Sequence, residues 1–273
     1  MKSKYSQWLI VSDIDGTLNN KQRKLPPNNK KAINNFVNNG GYFTLCSGRN
    51  LSSLDPHYKK LGITTPAICM NGAGIYDYST SSVLYYKPIS LQGESVIFDL
   101  FNKYFAQLTV FDMNTVYRYK SSCIYGLIVS ALDKLPCKLC KAQDELPTGQ
   151  WGKVTFFSSH GVCKKIRDEI KEKYNDLFEW NFTSPFTLEL MEKGVNKGSG
   201  VAELVKLINI NPENVGAIGD YYNDEAMLKS VSHPACCGQA PDDLKALCEY
   251  ITCHCNDGAV SDFINYIEKK YIL

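Results

Sequence analysis

The chain has 273 residues, of which 44% are hydrophobic, and a formal net charge of +2. This length exceeds the usual size of one domain and predicts a large domain together with a smaller one. The nearly neutral charge argues against a nucleic-acid-binding protein, and the apolar content argues against disorder. We therefore expect a folded monomer or weak homo-oligomer whose partner is a small molecule.

The first residues, 1–7, are polar and charged, and only four strongly apolar residues follow them. This segment lacks the apolar region of a signal peptide, and no stretch of the sequence reaches transmembrane length. The sequence therefore predicts a cytoplasmic protein that does not bind membranes.

The chain contains eleven cysteines, an odd number, and several lie inside apolar runs. Such cysteines behave as small hydrophobic residues in a reducing compartment, so we expect no disulfides. Cys137-x-x-Cys140 and Cys253-His254-Cys255 contain zinc-ligand residue types, but neither motif has a suitably spaced second pair. We therefore interpret them as unpaired cysteines.

Short apolar runs alternate with amphipathic segments at both ends of the chain, as in an α/β protein with a parallel sheet. The predicted strands are residues 8–11, 42–46, 66–70, 215–218, 233–237 and 250–255. The predicted helices are one that opens at Pro26-Pro27-Asn28 and stops at Gly40-Gly41, residues 51–61, a short helix from Glu225, and residues 260–270. The run at 8–11 is continuous rather than alternating, which is typical of a strand covered on both faces. The fold class is therefore a doubly wound parallel sheet.

The middle of the chain has a different pattern, with helices grouped beside alternating strands. Helices are predicted over residues 91–105 and 160–174, strands over 108–111, 115–119, 154–157 and 177–181, and the return to the core over 186–190. We interpret residues 87–188 as an α+β cap inserted into a core made of residues 1–86 and 189–273.

Two carboxylates follow the first strand, in the segment Asp13-Ile14-Asp15-Gly16. Acidic groups this close repel each other unless a cation, a proton or hydrogen-bond donors compensate. One interpretation is an Asx turn that closes the strand. The other is a Mg²⁺ site in which one aspartate is also a nucleophile, since hard oxygen ligands bind Mg²⁺ and a carboxylate can form an aspartyl-phosphate.

Other predicted strands also end in small polar residues, namely Ser47-Gly48, Asn71 and Asp220. In an open parallel sheet, ligands bind outside the carboxyl ends of the strands, so these separate motifs converge on one crevice. Each motif alone is weak, because loops are generally polar. Their convergence is the main functional argument.

Four segments occur in the order of the four motifs of haloacid-dehalogenase-like (HAD) phosphatases: Asp13-Ile14-Asp15-Gly16-Thr17-Leu18, Ser47-Gly48-Arg49, Lys197-Gly198 and Gly219-Asp220-Tyr221-Tyr222-Asn223-Asp224. Asn71-Gly72-Ala73 and the cap-sized insertion resemble the Cof-type branch of that superfamily. The resemblance spans essentially the whole chain.

The resemblance implies that Asp13 is the nucleophile and that Asp15 protonates the leaving group and later activates water. It also implies that Mg²⁺ is bound by the Asp13 carboxylate, the Asp15 carbonyl and Asp220, with Asp224 steadying them. The resemblance also implies that the phosphoryl group is bound by Ser47, Gly48, Lys197 and Asn223.

The function predicted on this basis is Mg²⁺-dependent hydrolysis of small phosphorylated metabolites, with sugar phosphates as the substrate class that the resemblance implies. A phosphomutase with the same nucleophile is a second hypothesis. A non-catalytic metabolite-binding module is a third, and the intact acidic and lysine motifs count against it.

Overall fold

In the computed structural model, residues 4–120, 124–132 and 136–272 are described. The core elements are β1 Leu9–Ser12, α1 Pro27–Asn38, β2 Tyr42–Leu45, α2 Leu51–Leu61, β3 Ala67–Cys69, β4 Gly74–Asp77, β5 Ser82–Tyr86, α6 Lys197–Leu207, β12 Val215–Gly219, α7 Glu225–Lys229, β13 His233–Cys236, α8 Asp242–Lys245, β14 Tyr250–Ile251 and α9 Ala259–Ile267. The elements of the insert are α3 Leu91–Lys103, β6 Gln107–Phe111, β7 Val116–Tyr119, α4 Ile124–Leu132, β8 Lys138–Cys140, β9 Lys153–Phe157, α5 His160–Lys173, β10 Phe178–Ser184 and β11 Thr187–Glu192.

The core is a five-stranded parallel sheet in the order β14-β13-β12-β1-β2. Strand β1, which lies between β12 and β2, is buried on both faces because its side chains alternate between two apolar clusters. Ile10 packs in the cluster that contains α1 and α9 residues, whereas Leu9 and Val11 pack in the cluster that contains α6 residues. The predicted doubly wound α/β core is therefore confirmed.

The third predicted strand has a different role from the one expected. Strand β3 does not form a ladder with the parallel sheet but pairs with it at an isolated bridge between Cys46 and Ile68. It instead forms an antiparallel sheet with the hairpin β4–β5, which the sequence analysis did not identify. The last predicted strand is also shorter than expected, since β14 ends at Ile251 and a 3₁₀ turn begins at Cys255.

The insert contains a six-stranded sheet in the order β10-β11-β9-β6-β7-β8. One face of this sheet is apolar and packs against α3 and α5; the fully buried residues on it are Leu108, Val110, Val154, Phe156, Leu188 and Leu190. The opposite face carries polar side chains, because successive residues of a strand point to opposite sides. Lys153 and Glu189 lie on this second face.

Strand β11 crosses the predicted boundary between residues 188 and 189. The segment expected to return the chain to the core is a strand of the insert, paired with β9 on one side and β10 on the other. That part of the sequence interpretation was wrong, because an apolar run does not reveal which of two sheets it joins. The division into residues 1–86 with 189–273 and 87–188 otherwise remains a prediction.

Within the described ranges, no helix is both long and apolar enough to cross a membrane.

Candidate active site

The carboxyl ends of β1, β2 and β12 surround a cavity of about 750 Å³ between the core and the insert. The residues that line it are Asp13, Asp15, Gly16, Asn20, Lys21, Arg23, Ser47, Gly48, Arg49, Asn50, Ser53, Asn71, Phe111, Lys153, Thr183, Glu189, Asp220, Tyr221 and Asn223. Parallel strands bring these distant segments together at one edge of the sheet, as the sequence analysis predicted.

Three carboxylates and one ammonium group form the floor of the site. Asp13, Asp220 and Asp224 each offer an oxygen atom within 4.8 Å of the others. The Lys197 Nζ atom donates to Asp13 Oδ1 at 2.6 Å and to Asp224 Oδ1 at 2.5 Å. Lys197 and Asp224 are almost completely buried, so this cluster is shielded from bulk water.

Burial and mutual repulsion set the charges of this cluster. Burial lowers the pKa of Lys197, but the carboxylates of Asp13 and Asp224 outweigh burial and raise it, so the lysine stays protonated. Burial raises the pKa of Asp13 against the opposing effect of Lys197. Burial and the adjacent Asp224 carboxylate raise the pKa of Asp220 to about 6. A single ammonium therefore does not balance three carboxylates, and the site favours an additional cation.

The turn after β1 lets Asp220 approach this strand closely. Gly16 has a φ of +85°, which a side chain disfavours, and a Cβ atom there would lie 2.4 Å from Asp220 Oδ2. Thr17 Oγ1 donates to Asp220 Oδ1 at 3.1 Å. The Asp-Gly-Thr sequence therefore shapes the space around the acidic cluster.

Asp224 organises the loop after β12. Its Oδ2 atom accepts from the backbone N–H of Asp220 at 2.9 Å and from that of Tyr221 at 3.3 Å. Its Oδ1 atom accepts from Lys197. Because one buried carboxylate satisfies three donors, Asp224 links the loop of Asp220 to the lysine.

Lys197 begins α6, and its position depends on a helix cap and on a glycine. Asn196 is the N-cap, and its side chain accepts from the N–H of Ser199 at 3.0 Å. A Cβ atom on Gly198 would lie 2.3 Å from the carbonyl oxygen of Ala226 in α7. This close approach of two helices places Lys197 beside Asp224.

The loop after β2 presents a hydroxyl and backbone groups to the cavity. Ser47 is buried, and its Oγ atom accepts from the N–H of Arg49 at 3.3 Å. The N–H of Asn71 donates to the carbonyl of Ser47 at 3.0 Å, which joins this loop to the turn after β3. Gly48 packs so closely on Asn71 that a Cβ atom would lie 2.8 Å from its Oδ1 atom.

Asp15 differs from Asp13 although only one residue separates them. Its side chain is 51% exposed and forms a two-pronged ion pair with Arg49, in which Nη2 lies 2.7 Å and Nε 3.2 Å from Asp15 Oδ2. Its carboxylate is not part of the acidic cluster of Asp13, Asp220 and Asp224. The two aspartates are therefore separated in burial and in partner.

The predicted site residues thus fall into three groups. The structure brings Asp13, Lys197, Asp220 and Asp224 into direct or near contact. It places Ser47, Gly48 and Asn223 on the wall of the same cavity, with Asp15 beside Arg49 at its exposed side. Lys197 contacts the two carboxylates behind the cavity wall, and its predicted contact with a phosphoryl group remains a prediction. Among the residues that the structure describes, the acidic cluster is the sole His, Cys, Asp or Glu group arranged to hold a metal, and the two cysteine motifs form none.

The insert supplies residues that the sequence analysis did not identify. Phe111, Lys153, Thr183 and Glu189 line the cavity from the insert. A signal was present for Glu189, because a charged residue between Leu188 and Leu190 marks a strand whose second face is polar. No local pattern identifies Lys153 as its partner.

Known proteins show the same architecture and similar sequence. The model of the haloacid dehalogenase-like hydrolase family matches residues 10–264. The 5-amino-6-(5-phospho-D-ribitylamino)uracil phosphatase YcsE of Bacillus subtilis is 26% identical over 89% of this chain and 89% of its own. The pyridoxal phosphate phosphatase YbhA of Escherichia coli is 24% identical over 94% of this chain and 97% of its own. The solved structure of the HAD subclass IIB sugar phosphatase BT4131 superposes with a TM-score of 0.81 at 19% identity, covering 97% of this chain and 100% of that one.

The chain therefore belongs to the haloacid dehalogenase-like hydrolase family, and the resemblance drawn from its four motifs is confirmed. The family match, the curated relatives and the structural neighbour together identify the chain as a phosphatase of the Cof-type branch.

Proposed function

We propose that this phosphatase hydrolyses small phosphorylated metabolites through an aspartyl-phosphate formed on Asp13. The observation that carries the proposal is the Asp13 carboxylate, which lies at the floor of the cavity and within 2.6 Å of the Lys197 ammonium. This contact opposes the effect of burial, which raises the pKa of Asp13, and so favours the ionised carboxylate that a nucleophile requires.

We propose that the site binds Mg²⁺. The carboxylates of Asp13 and Asp220 and the backbone carbonyl of Asp15 would be its ligands, and Asp224 would orient these ligands. The donors fit, because they are hard oxygen ligands and the cluster carries more negative than positive charge. The absence of a side chain at Gly16 leaves room beside Asp220 that a Cβ atom would fill. When bound, Mg²⁺ would offset the negative charge shared by the carboxylates and the phosphoryl group.

In the first step, an Asp13 oxygen attacks phosphorus in line, and the bond between phosphorus and the leaving oxygen breaks. Asp15 donates a proton to that oxygen, which leaves as an alcohol. In the second step, Asp15 takes a proton from water, whose oxygen attacks phosphorus and breaks the bond to Asp13, releasing phosphate. In the structure Arg49 Nη2 donates to both Asp15 oxygens, so Asp15 must exchange this partner to pass a proton to the leaving oxygen.

The neutral hydrogen-bond donors and the cations around Asp13 can bind the phosphoryl oxygens. We assign Ser47, the N–H of Gly48, Lys197 and Asn223 to binding its oxygens. Phosphoryl transfer depends mainly on positioning and charge stabilisation, which such groups supply.

The cavity volume lies in the range of small-molecule sites, about 300 to 1,000 Å³. Two relatives are named as phosphatases of a phosphoribitylamino uracil and of pyridoxal phosphate, and a structural neighbour is named a sugar phosphatase. We propose sugar phosphates as the first class to test. A cytoplasmic location and a monomeric or weakly associated state remain predictions.

The decisive experiment measures free phosphate released from a panel of phosphorylated metabolites, with and without Mg²⁺. We expect Mg²⁺-dependent release that favours phosphorylated sugars and polyols. An enzyme that moves phosphate between positions of a sugar and releases none would contradict the proposal.

A further inference from the structure

A buried ion pair connects the insert to the core next to the loop of Ser47 and Gly48, which we propose to bind phosphate. Lys153 in β9 and Glu189 in β11 are both about 5% exposed, and Lys153 Nζ lies 2.6 Å from Glu189 Oε1. Lys153 Nζ also donates to the carbonyl oxygen of Gly48 at 2.7 Å. Glu189 Oε2 accepts from Asn71 Nδ2 at 2.7 Å. The pair thus contacts two core loops, one after β2 and one after β3.

The contact with Gly48 acts on the Ser47 hydroxyl through one peptide group. The carbonyl of Gly48 and the N–H of Arg49 belong to the same planar peptide. This N–H donates to Ser47 Oγ at 3.3 Å. Because Lys153 fixes the carbonyl, it also fixes the direction of the N–H, and the Ser47 oxygen is held as an acceptor. The Ser47 proton then remains available to donate into the cavity.

The second arm supports the same loop from the other side. Asn71 donates its backbone N–H to the Ser47 carbonyl and packs against Gly48. Asn71 has a φ of +56°, a conformation that non-glycine residues rarely adopt. Glu189 holds the Asn71 side chain, so each contact of the insert reaches Ser47 through one intervening residue, Gly48 for Lys153 and Asn71 for Glu189.

Burying such a pair is not an evident gain in stability, since apolar replacements of buried ion pairs are often neutral or stabilising. Another ion pair of the insert, Lys103 with Glu169, is partly exposed, and its contacts lie within the insert. The position of Lys153 and Glu189 at the junction is therefore what distinguishes them.

We propose that Lys153, held by Glu189, is a positioning residue that orients the Ser47 hydroxyl toward the phosphoryl group and so makes phosphate binding depend on the insert. The proposal rests on the function proposed above for Ser47. It assigns to the insert a part in binding the phosphoryl group itself, in addition to any contact with the rest of the substrate.

The test is a double-mutant cycle between Lys153→Met and Ser47→Ala. We measure kcat and KM for an activated aryl phosphate, and the affinity for inorganic phosphate by calorimetry. We expect each single variant to lose about tenfold in phosphate affinity and in kcat/KM, the scale of one hydrogen bond. The double variant should lose little more than Ser47→Ala alone, because Lys153 acts through Ser47.

A second variant protects the test against misfolding. Lys153→Met combined with Glu189→Gln removes both charges, so no buried charge is left unpaired, and the glutamine oxygen still accepts from Asn71. It should melt near the wild-type temperature and show the same loss of phosphate affinity. Lys103→Met is the matched control in the insert and should leave phosphate affinity and kcat/KM unchanged.

Two results would overturn the proposal. Fully additive losses in the cycle would show that Lys153 does not act through Ser47. Unchanged affinity for inorganic phosphate, with losses confined to large substrates, would show that Lys153 contacts the substrate directly. Phosphate binding needs no turnover, so the positioning role is judged separately from the proposed hydrolysis, which fails if the wild-type enzyme releases no phosphate.

Discussion

The two walls of the cavity are built from different kinds of sequence position. On the core wall, Asp13, Ser47 and Asp220 come at or just after the ends of parallel strands. On the insert wall, Lys153 and Glu189 lie within strands, on the polar face of an antiparallel sheet. The topology of a parallel sheet forces strand ends together, whereas residues within antiparallel strands meet only through the particular register of the sheet.

The walls also differ in how their charges are held. The core carboxylates share one buried lysine and carry excess negative charge, which suits a cation and a phosphoryl group. The insert pairs one cation with one carboxylate and leaves no excess charge at the junction. We therefore assign the reaction to the core wall, and we assign to the insert wall substrate choice together with the positioning of Ser47 by Lys153 proposed above. The predictions below test that division.

The largest expected effect is that of Asp13→Asn. The amide is nearly isosteric but is a poor nucleophile, so kcat should fall by about 10⁴-fold or more. Lys197 keeps Asp224 as a partner, so the variant should remain folded. Steady-state kinetics and a thermal melt measure the two effects, with Asp55→Asn in α2 as the control. Near-normal turnover in a folded Asp13→Asn protein would contradict the aspartyl-phosphate mechanism.

Removing the metal should have the next largest effect. A chelator should lower the rate by about 10³-fold, because a bound cation supplies several kcal/mol of charge stabilisation. Added Mg²⁺ should restore activity. Ca²⁺ should restore little, because it prefers longer bonds and more ligands. Phosphate release is measured after chelation and after each metal is added. Full activity in a preparation shown to be metal-free would rule out the metal assignment.

Asp15→Asn tests the exposed side of the core wall. The amide cannot carry a proton, and an acid–base group typically contributes about 10²-fold or more to the rate. The effect should be smaller for an aryl phosphate with an acidic leaving group, because that group leaves without a proton. Rates for an alkyl and an aryl phosphate are compared in the variant and the wild type. Equal losses of kcat/KM, which covers the steps up to loss of the leaving group, would contradict proton donation by Asp15. Equal losses of kcat alone would reflect the second step, in which Asp15 activates water whatever the substrate.

Much of the core wall could be predicted from sequence for a physical reason. An apolar run that ends in acidic and small residues encodes both the strand and the position of its end, so Asp13, Ser47 and Asp220 were identified without knowledge of their neighbours. Helix α2 has the predicted bounds because its start at an Asn cap and its end at Gly62 are both encoded locally.

The errors arose where long-range pairing decides the structure. Thr187–Glu192 pairs with β9 and β10, and its sequence is equally compatible with a core strand. The ion pair of Lys153 and Glu189 joins residues 36 positions apart, and neither residue predicts the other. The partner of Asp15 was missed for the same reason, because Arg49 lies 34 positions away in the chain.

The smallest expected effect is on the insert wall, at Thr183. This residue lines the cavity and its side chain is exposed to solvent, so a hydrogen bond from its hydroxyl to substrate competes with water. Thr183→Val keeps the shape of the side chain and removes the hydroxyl. We expect kcat/KM to change by less than about tenfold, and unequally among metabolites, because one hydroxyl contact discriminates modestly at an open site. Mg²⁺ affinity and the rate with an aryl phosphate should stay at wild-type values, since the acidic cluster lies on the other wall. Thr155→Val, which lies opposite Glu189 on the polar face of the insert sheet but outside the cavity lining, is the control. Thr183→Val would contradict the division between the two walls if it changed Mg²⁺ affinity or lowered kcat/KM equally for every substrate. Either result would mean that the insert acts on the reaction at this position as well.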